Sequence, residues 1–548
     1  MKSGFTRIFY FSLFLLFFAY NVKSQVAVFN PAEFEKNEGV MMVWDYSPSR
    51  DSIIANIAKA AQQAGKVWII YYPGQAPVDT SEIRTYLYSR GVLSDSLFFI
   101  PGYTETLWIR DFGPMTLYGN FGQGNERYII DMGYGTYNRP KDDSIPSQIA
   151  NLWNWQQRSL GLEIEGGNLI FDGLTRGFAS TRVYEQNPDI SPAMIRNILI
   201  DKFNLLDFTF LQSLDNSGGG IWKHVDMFMK VLDYETILVS SYPENLPDYN
   251  TLEGNVAILQ SLSNHFGKPY NIIRIPAPPK ADGSWATTQN DEMRTYTNSL
   301  IINNTIIVPS YGLPEYDMQA LQIYNEAMPG YKIIMVDAQQ LTVLGGAIHC
   351  VTKEVPAENL IRIIHRKVTG KQEFTPEMYI YSNCESNSAL QGMWLYYKIN
   401  DQEQYTRIPV YMACPQNIGI IEGLMPGDKV HYYLEGVSVN GSSTYPAGAP
   451  AANFTFWFDS TVGTTEEFIK RDKLHITPQP SVGSFSIFTT SDFSDGQLEI
   501  YTMNGQLCFN QPYRQGELVV TNLPSGIYFV QLKSELKVWR EKILIQRF

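Results

Sequence analysis

Between about residues 28 and 367 the chain repeats one order of elements (strand, strand, helix, strand), and that order limits the fold more than any other feature. Residues 40–44 and 67–72 are short apolar runs with the length and residue types of buried strands. The stretch between them, 51–65, sets Ile53, Ile54, Ile57, Ala60 and Ala61 on one helical face, with Asp51 as the expected N-cap and Gly65 as the stop. Two later stretches predict hairpins: 227–241, turning at Asp233, Tyr234 and Glu235, and 296–310, turning at Asn303 and Asn304. A helical pattern follows each, at 250–266 and 317–328. No clean sequence repeat accompanies this order, so alone it predicts an α/β class built of modules around a centre.

The texture changes near residue 370. Runs at 393–399, 407–412, 429–435 and 454–458 are strand-like, separated by Gly, Pro, Asn and Ser with no helical pattern between them, as in a small β-sandwich. From 464 to 548 the chain is again strand and turn, for example at 497–501 and 526–532. A length of 548 residues fits about three domains. The formal charge of −13 excludes a general nucleic-acid binder, which needs a basic stripe, and favours cationic partners.

Residues 1–24 read as an export signal: Lys2 and Arg7 precede an apolar run at 8–20, and Ser24 offers a small residue for cleavage before Gln25. That run is too short for a comfortable membrane span, and no later stretch approaches one. Export permits disulfides. Cys384 and Cys414 lie 30 residues apart in one segment and can pair, whereas Cys508 and Cys350 have no neighbouring partner.

Cys350 follows the Gly345-Gly346 bend, just inside an expected strand. Taken singly it reads as a buried structural thiol. Four polar runs elsewhere alter that weighting. Asp111 stands at a loop edge in the run 108–114, Glu165 precedes the Gly166-Gly167 bend, and Asn298 opens a hairpin. His224 and Asp226 alternate, which on a strand puts both on one face. Each also has a structural reading, as a turn or cap residue or a satisfied core histidine.

A cysteine protease needs no acids aimed at the scissile carbonyl, and the order is wrong for the known signatures, since His224 lies 126 residues before Cys350. Neither HExxH nor CxxC spacing occurs, which disfavours metal hydrolysis. A planar guanidinium explains the acids better: its N–H fork is gripped by paired carboxylates, and burying it unpaired costs several kcal/mol.

WIRDFGP, EGGN, HVD, YTNS and GGAIHC, in this order and rough spacing, resemble the agmatine deiminase and bacterial (Porphyromonas-type) peptidylarginine deiminase family over about residues 28–367. The resemblance implies a catalytic domain over 25–367 with the five-bladed α/β propeller of guanidine-modifying enzymes and the site on its axis. Residues 368–460 resemble the immunoglobulin-like domain that follows it in the secreted enzyme. The runs ITPQPSVGSFSI, LEIYTMNGQ and LPSGIYFVQL resemble the sorting domain of type IX secretion substrates, over 464–548. The implied protein is delivered to the cell surface or medium by that machinery.

By the same resemblance Cys350 is the nucleophile, its thiol acidified by the cationic substrate or by His224. His224 is the acid and base, Asp111 and Asp226 hold the guanidinium, Asn298 positions the reacting groups, and Glu165 holds His224 charged. Trp108 walls the substrate, and neither a metal nor an organic cofactor is implied. Where the peptidylarginine enzyme carries YNRPR for the carboxylate of a C-terminal arginine, this chain has Tyr137-Asn138-Arg139-Pro140-Lys141, matching Arg139 and placing Lys141 at the second arginine. EGGN points instead towards agmatine and free-arginine deiminases. Arginine peptides and agmatine are therefore the two substrate readings, and a non-catalytic surface binding protein on this scaffold is the third possibility.

Overall fold

The computed structural model describes residues 29–546 except 74–79, 121–124, 136–137, 216–222, 289–290, 412–415, 461–473, 478–480, 490–494, 503–504, 515 and 535–536. The expected export signal lies outside the described residues, as do Tyr137 and Cys414.

Residues 37–356 form five small sheets with one common wiring. In the last, Leu300–Ile302 runs antiparallel to Thr305–Ser310, and helix Pro314–Ala327 returns the chain to Lys332–Asp337, parallel to the second strand. The same hairpin, helix and parallel strand occur in three others. They are Met115–Asn120, Asn125–Gly133 and Gln156–Glu163; Ile170–Phe171, Arg176–Ser180 and Asp207–Leu211; and Met229–Asp233, Thr236–Ser241 and Asn271–Pro276. A parallel partner demands a crossover, and an amphipathic helix supplies it while burying its apolar face.

The remaining sheet borrows its antiparallel partner from the far end of this region. Asn37–Val43 pairs with Lys353–Pro356 on one side and, across helix Pro48–Ala61, with Lys66–Tyr71 on the other. Leu97–Pro101 then extends that sheet.

All five residues expected on the buried face of this helix, Ile53, Ile54, Ile57, Ala60 and Ala61, are in the core. Asp51 is not the N-cap. Pro48, whose fixed φ suits the first helical position, starts the helix earlier, with Ser47 before it. Asp51 is left buried in the first turn, its carboxyl pushed up to about 7 by desolvation and by Asp45. Both predicted hairpins form. Asn303 turns the second with φ 52° and ties it to the first sheet, donating to the carbonyls of Asn37 and Ala64 at 2.9 and 2.7 Å.

Beyond the modules all sheets are β. One sheet joins Ile361–His365, Glu377–Ser386 and Asn417–Glu422; a six-stranded partner carries Leu390–Ile399 and Lys429–Ser438 at its centre. Ile361–His365 thus lies in the second unit's sheet although it falls within the range 25–367. Two further antiparallel sheets occupy 474–545. Cys384 is a free thiol packed against Gly436 and Ile361. Among the described residues, no helix is long and apolar enough to cross a membrane.

Candidate active site

Each module presents a tight turn or bend just ahead of its first strand, and the expected reactive residues all sit there. Asp111 lies in the single helical turn Ile109–Phe112, Glu165 enters the 3₁₀ turn Gly166–Asn168, and Asn298 directly precedes Leu300–Ile302. His224 and Asp226 belong to the 3₁₀ turn Val225–Met227, and Cys350 to the 3₁₀ turn His349–Val351. Two expectations are corrected here. His224 and Asp226 are not alternating strand residues, because Asn168 Oδ1 takes the Val225 N–H at 3.2 Å and the strand begins only at Met229. Cys350 likewise precedes its strand, which begins at Lys353.

Equivalent positions in successive modules converge. A Cβ built on Gly167 would lie 2.7 Å from Asp111 Oδ1, 2.9 Å from His224 Nδ1 and 3.2 Å from Asp226 Oδ2, so three modules meet around one glycine. A Cβ on Gly346 would lie 2.5 Å from the Trp108 ring and 3.0 Å from Cys350 Cβ, which places the indole beside the thiol. The amide nitrogen of Asn298 donates to Cys350 Sγ at 3.3 Å, while its oxygen accepts from the backbone of His349 and Cys350 at 3.1 and 3.3 Å.

His224 stands between two acids, with Nδ1 3.5 Å from Asp111 and Nε2 3.5 Å from Glu165. Glu165 is itself paired with Arg182 at 3.2 Å. Burial works against the imidazolium, but the charges of Asp111, Glu165 and Asp226 outweigh it and raise His224 to about 9. Burial lifts the Asp111 carboxyl to about 7, with the His224 charge pulling down and Asp226 and Glu165 pushing up.

Burial, reinforced by the charges of Asp226 and Asp111, holds the Cys350 thiol well above its ordinary value. Cys350, His224 and Asp226 are all 0% exposed, so the sulfur is sealed from solvent.

Arg139 precedes the short helix Pro140–Asp143 and is half-buried, with Nη1 3.5 Å from the Tyr134 hydroxyl. The Tyr134 ring in turn lies 5.8 Å from that of Phe112, the residue after Asp111. Lys141 is exposed, its ammonium 6.0 Å over the Tyr72 ring.

Several participants escaped sequence reasoning. Asn168, inside the EGGN run, ties the 3₁₀ turn to Ser180 and Val225. His349, beside the cysteine, contacts Asp226 at 2.8 Å and Glu33 at 2.7 Å. Arg110 bridges to Glu354 at 2.7 Å and donates to the His349 carbonyl at 3.3 Å. A histidine and an arginine within the conspicuous runs were the available signals, whereas Glu33 carried none.

Residues 29–356 match the model of the Porphyromonas-type peptidyl-arginine deiminase family, and 475–546 match that of the secretion system C-terminal sorting domain. A Shewanella baltica protein named "Putative agmatine deiminase" is 26% identical over 368 residues, 61% of this chain and 95% of the relative. Among solved structures, the agmatine deiminase of Enterococcus faecalis superposes with TM-score 0.51 at 21% identity, over 60% of this chain and 96% of that one. The "Putative Arginine Deiminase" of Porphyromonas gingivalis gives TM-score 0.51 at 22% identity, over 60% and 98%. At these identities the two structures speak for a shared α/β fold. The C-terminal match marks the chain for secretion. The first match covers more than half of the chain, which places the protein in the Porphyromonas-type peptidyl-arginine deiminase family, hydrolases acting on the C–N bonds of amidines.

Proposed function

We propose that the protein is an exported deiminase that converts arginine, in peptides that end with it, to citrulline and ammonia. The observation carrying this reading is the convergence of Asp111, His224 and Asp226 on Gly167, with Asn298 placing Cys350 in the adjoining turn. The common wiring of the five sheets, with the first completed by the last strand, favours closure into a five-bladed ring around that point.

Asp111 and Asp226 take the guanidinium in a charge-assisted grip while Trp108 covers its face. The arriving cation offsets the two carboxylates, and Cys350 gives up its proton to solvent. The thiolate attacks the guanidinium carbon. The C–N bond breaks as ammonia leaves with a proton from His224, and an S-linked thiouronium remains. His224, now neutral, takes a proton from water. The hydroxide adds to the same carbon, the C–S bond breaks, and citrulline departs as its hydroxyl proton passes to the released thiolate, restoring the Cys350 thiol. Glu165 and Asp111 keep His224 charged at the outset.

Arg139, beside Tyr134, favours a substrate with a free carboxylate. Lys141, exposed and directed over Tyr72, is the weaker candidate for that role. Secretion, through the type IX machinery, fits extracellular peptides. Agmatine is the second reading, supported by Glu165 in its EGGN run and by the similarity to a protein named "Putative agmatine deiminase". Ammonia release from peptides ending in arginine, from free arginine and from agmatine separates the two. The peptide reading expects the first to dominate and Arg139→Ala to raise its KM at least about tenfold. Preference for agmatine, or no effect of Arg139→Ala, overturns it. Loss of all turnover in Cys350→Ser disposes of the non-catalytic scaffold.

A further inference from the structure

Behind Asp226 lies a second histidine that this chemistry does not use. His349 Nδ1 is 2.8 Å from Asp226 Oδ2, and Nε2 is 2.7 Å from Glu33 Oε2. A neutral imidazole has one N–H and one lone pair, so facing two carboxylates it sets one lone pair against an anion. Both contacts are hydrogen bonds when the ring carries both protons. Glu33 is fixed in turn by Lys230 at 2.7 Å and by the Ile301 N–H at 2.6 Å, and the ring is almost fully buried. Asp226 Oδ2 is thereby engaged, while its Oδ1 is buried without a hydrogen-bond partner among the described residues.

We propose that His349 is a positioning residue, a strut between Glu33 and Asp226 that fixes Asp226 Oδ2 and leaves its Oδ1 for the substrate cation. This deepens the deiminase reading and rests on it. The charged groups around the ring are Glu33 from the N-terminal segment, Asp226 from its turn, Arg110 on the 349 carbonyl, Lys230 beyond Glu33, and Glu354 beyond Arg110. The two direct neighbours are both anionic, and the cations stand one group further out. Although burial opposes it, Lys230 and His349 hold Glu33 well below the usual carboxylate range, as a strut anchor requires.

Two measurements on the mature chain test the strut. In histidine ¹H–¹⁵N NMR, with six histidines in the sequence and His349→Gln assigning the signal, a His349 ring N–H protected from exchange is expected in the parent and lost in Glu33→Gln. In parallel, Glu33→Gln should raise KM at least about tenfold with kcat changed by less than about threefold, because a loosened Asp226 weakens the grip on the cation. Absence of a protected His349 ring N–H in the parent overturns the inference even if Glu33→Gln does not fold. An unchanged KM reduces the pair to a structural role. If the parent releases no ammonia from any guanidine the deiminase reading fails, and the NMR still decides whether the ring is held.

Discussion

Asn298 grips Cys350 at two points, its amide nitrogen 3.3 Å from the sulfur and its amide oxygen 3.3 Å from the backbone nitrogen. One side chain thus fixes both the turn that carries Cys350 and the donor facing its sulfur. Asn298→Asp keeps the acceptor and replaces that donor with an anionic oxygen. It is expected to lower kcat by about 10²-fold, the scale for losing one preorganised donor, with circular dichroism unchanged. Wild-type kcat in this variant would show that the sulfur does not need the amide.

The charge state of the cluster predicts a bell-shaped pH dependence. Asp111 must be ionised to hold a cation, and His224 must be protonated to release ammonia. With the two carried to about 7 and about 9, kcat/KM should rise through the first and fall through the second. The apparent limbs belong to the coupled cluster rather than to either residue. Ammonia release from pH 5 to 10.5 checks this, and an optimum below pH 6 contradicts it.

Stability should follow the same two groups. The folded state holds a proton on His224 that the unfolded chain loses near 6.5, so this contribution is full below that pH and gone above about 9. Asp111 runs in the same direction, because the folded state is progressively penalised as pH rises from about 4 to about 7. The thermal midpoint should therefore fall between pH 6 and 9.5, and fall less in His224→Asn. An identical slope in that variant would assign the loss elsewhere.

A neutral, buried thiol among acids should discriminate between reagents by charge. Iodoacetamide is expected to alkylate Cys350 slowly at pH 7.5, while a cationic haloacetamidine should react at least about tenfold faster because it supplies the missing positive charge. Asp111→Asn should erase most of that ratio. Equal rates in the parent, followed by peptide mass spectrometry, would sink the electrostatic account.

Gly167 offers a steric test. An added methyl would sit 2.7 Å from Asp111 Oδ1 and 2.9 Å from His224 Nδ1, closer than carbon tolerates. Gly167→Ala should cut kcat/KM by about 10²-fold or more through misplacement of the acids, with little change in thermal midpoint. Retained activity would mean that the carboxylates can retreat without cost.

Hydrophobic periodicity made the modules legible before any coordinates: the apolar face at Ile53 to Ala61 and the hairpins at Asp233 and Asn303 follow from periods of 3.6 and 2. The residues that converge around Gly167 and Cys350 stood out because glycine pairs and short polar runs break those periods. The single turns that carry Asp226 and Cys350 did not. A 3₁₀ turn of three residues has no periodicity to detect, and these two are held by Asn168 and Asn298, each distant in the chain. The burial of the site and the link from His349 to Glu33 were equally hidden, since both depend on contacts that span the whole region.

Lys353–Pro356 zips onto Asn37–Val43 three residues after Cys350. A chain cut or stalled before about residue 356 has nothing to dock beside its first strand, and the turn holding the sulfur hangs loose. The proposed chemistry therefore waits until the two distant ends of the modular region have met. A polypeptide short of that point carries every group the proposed reaction needs and holds none of them in register.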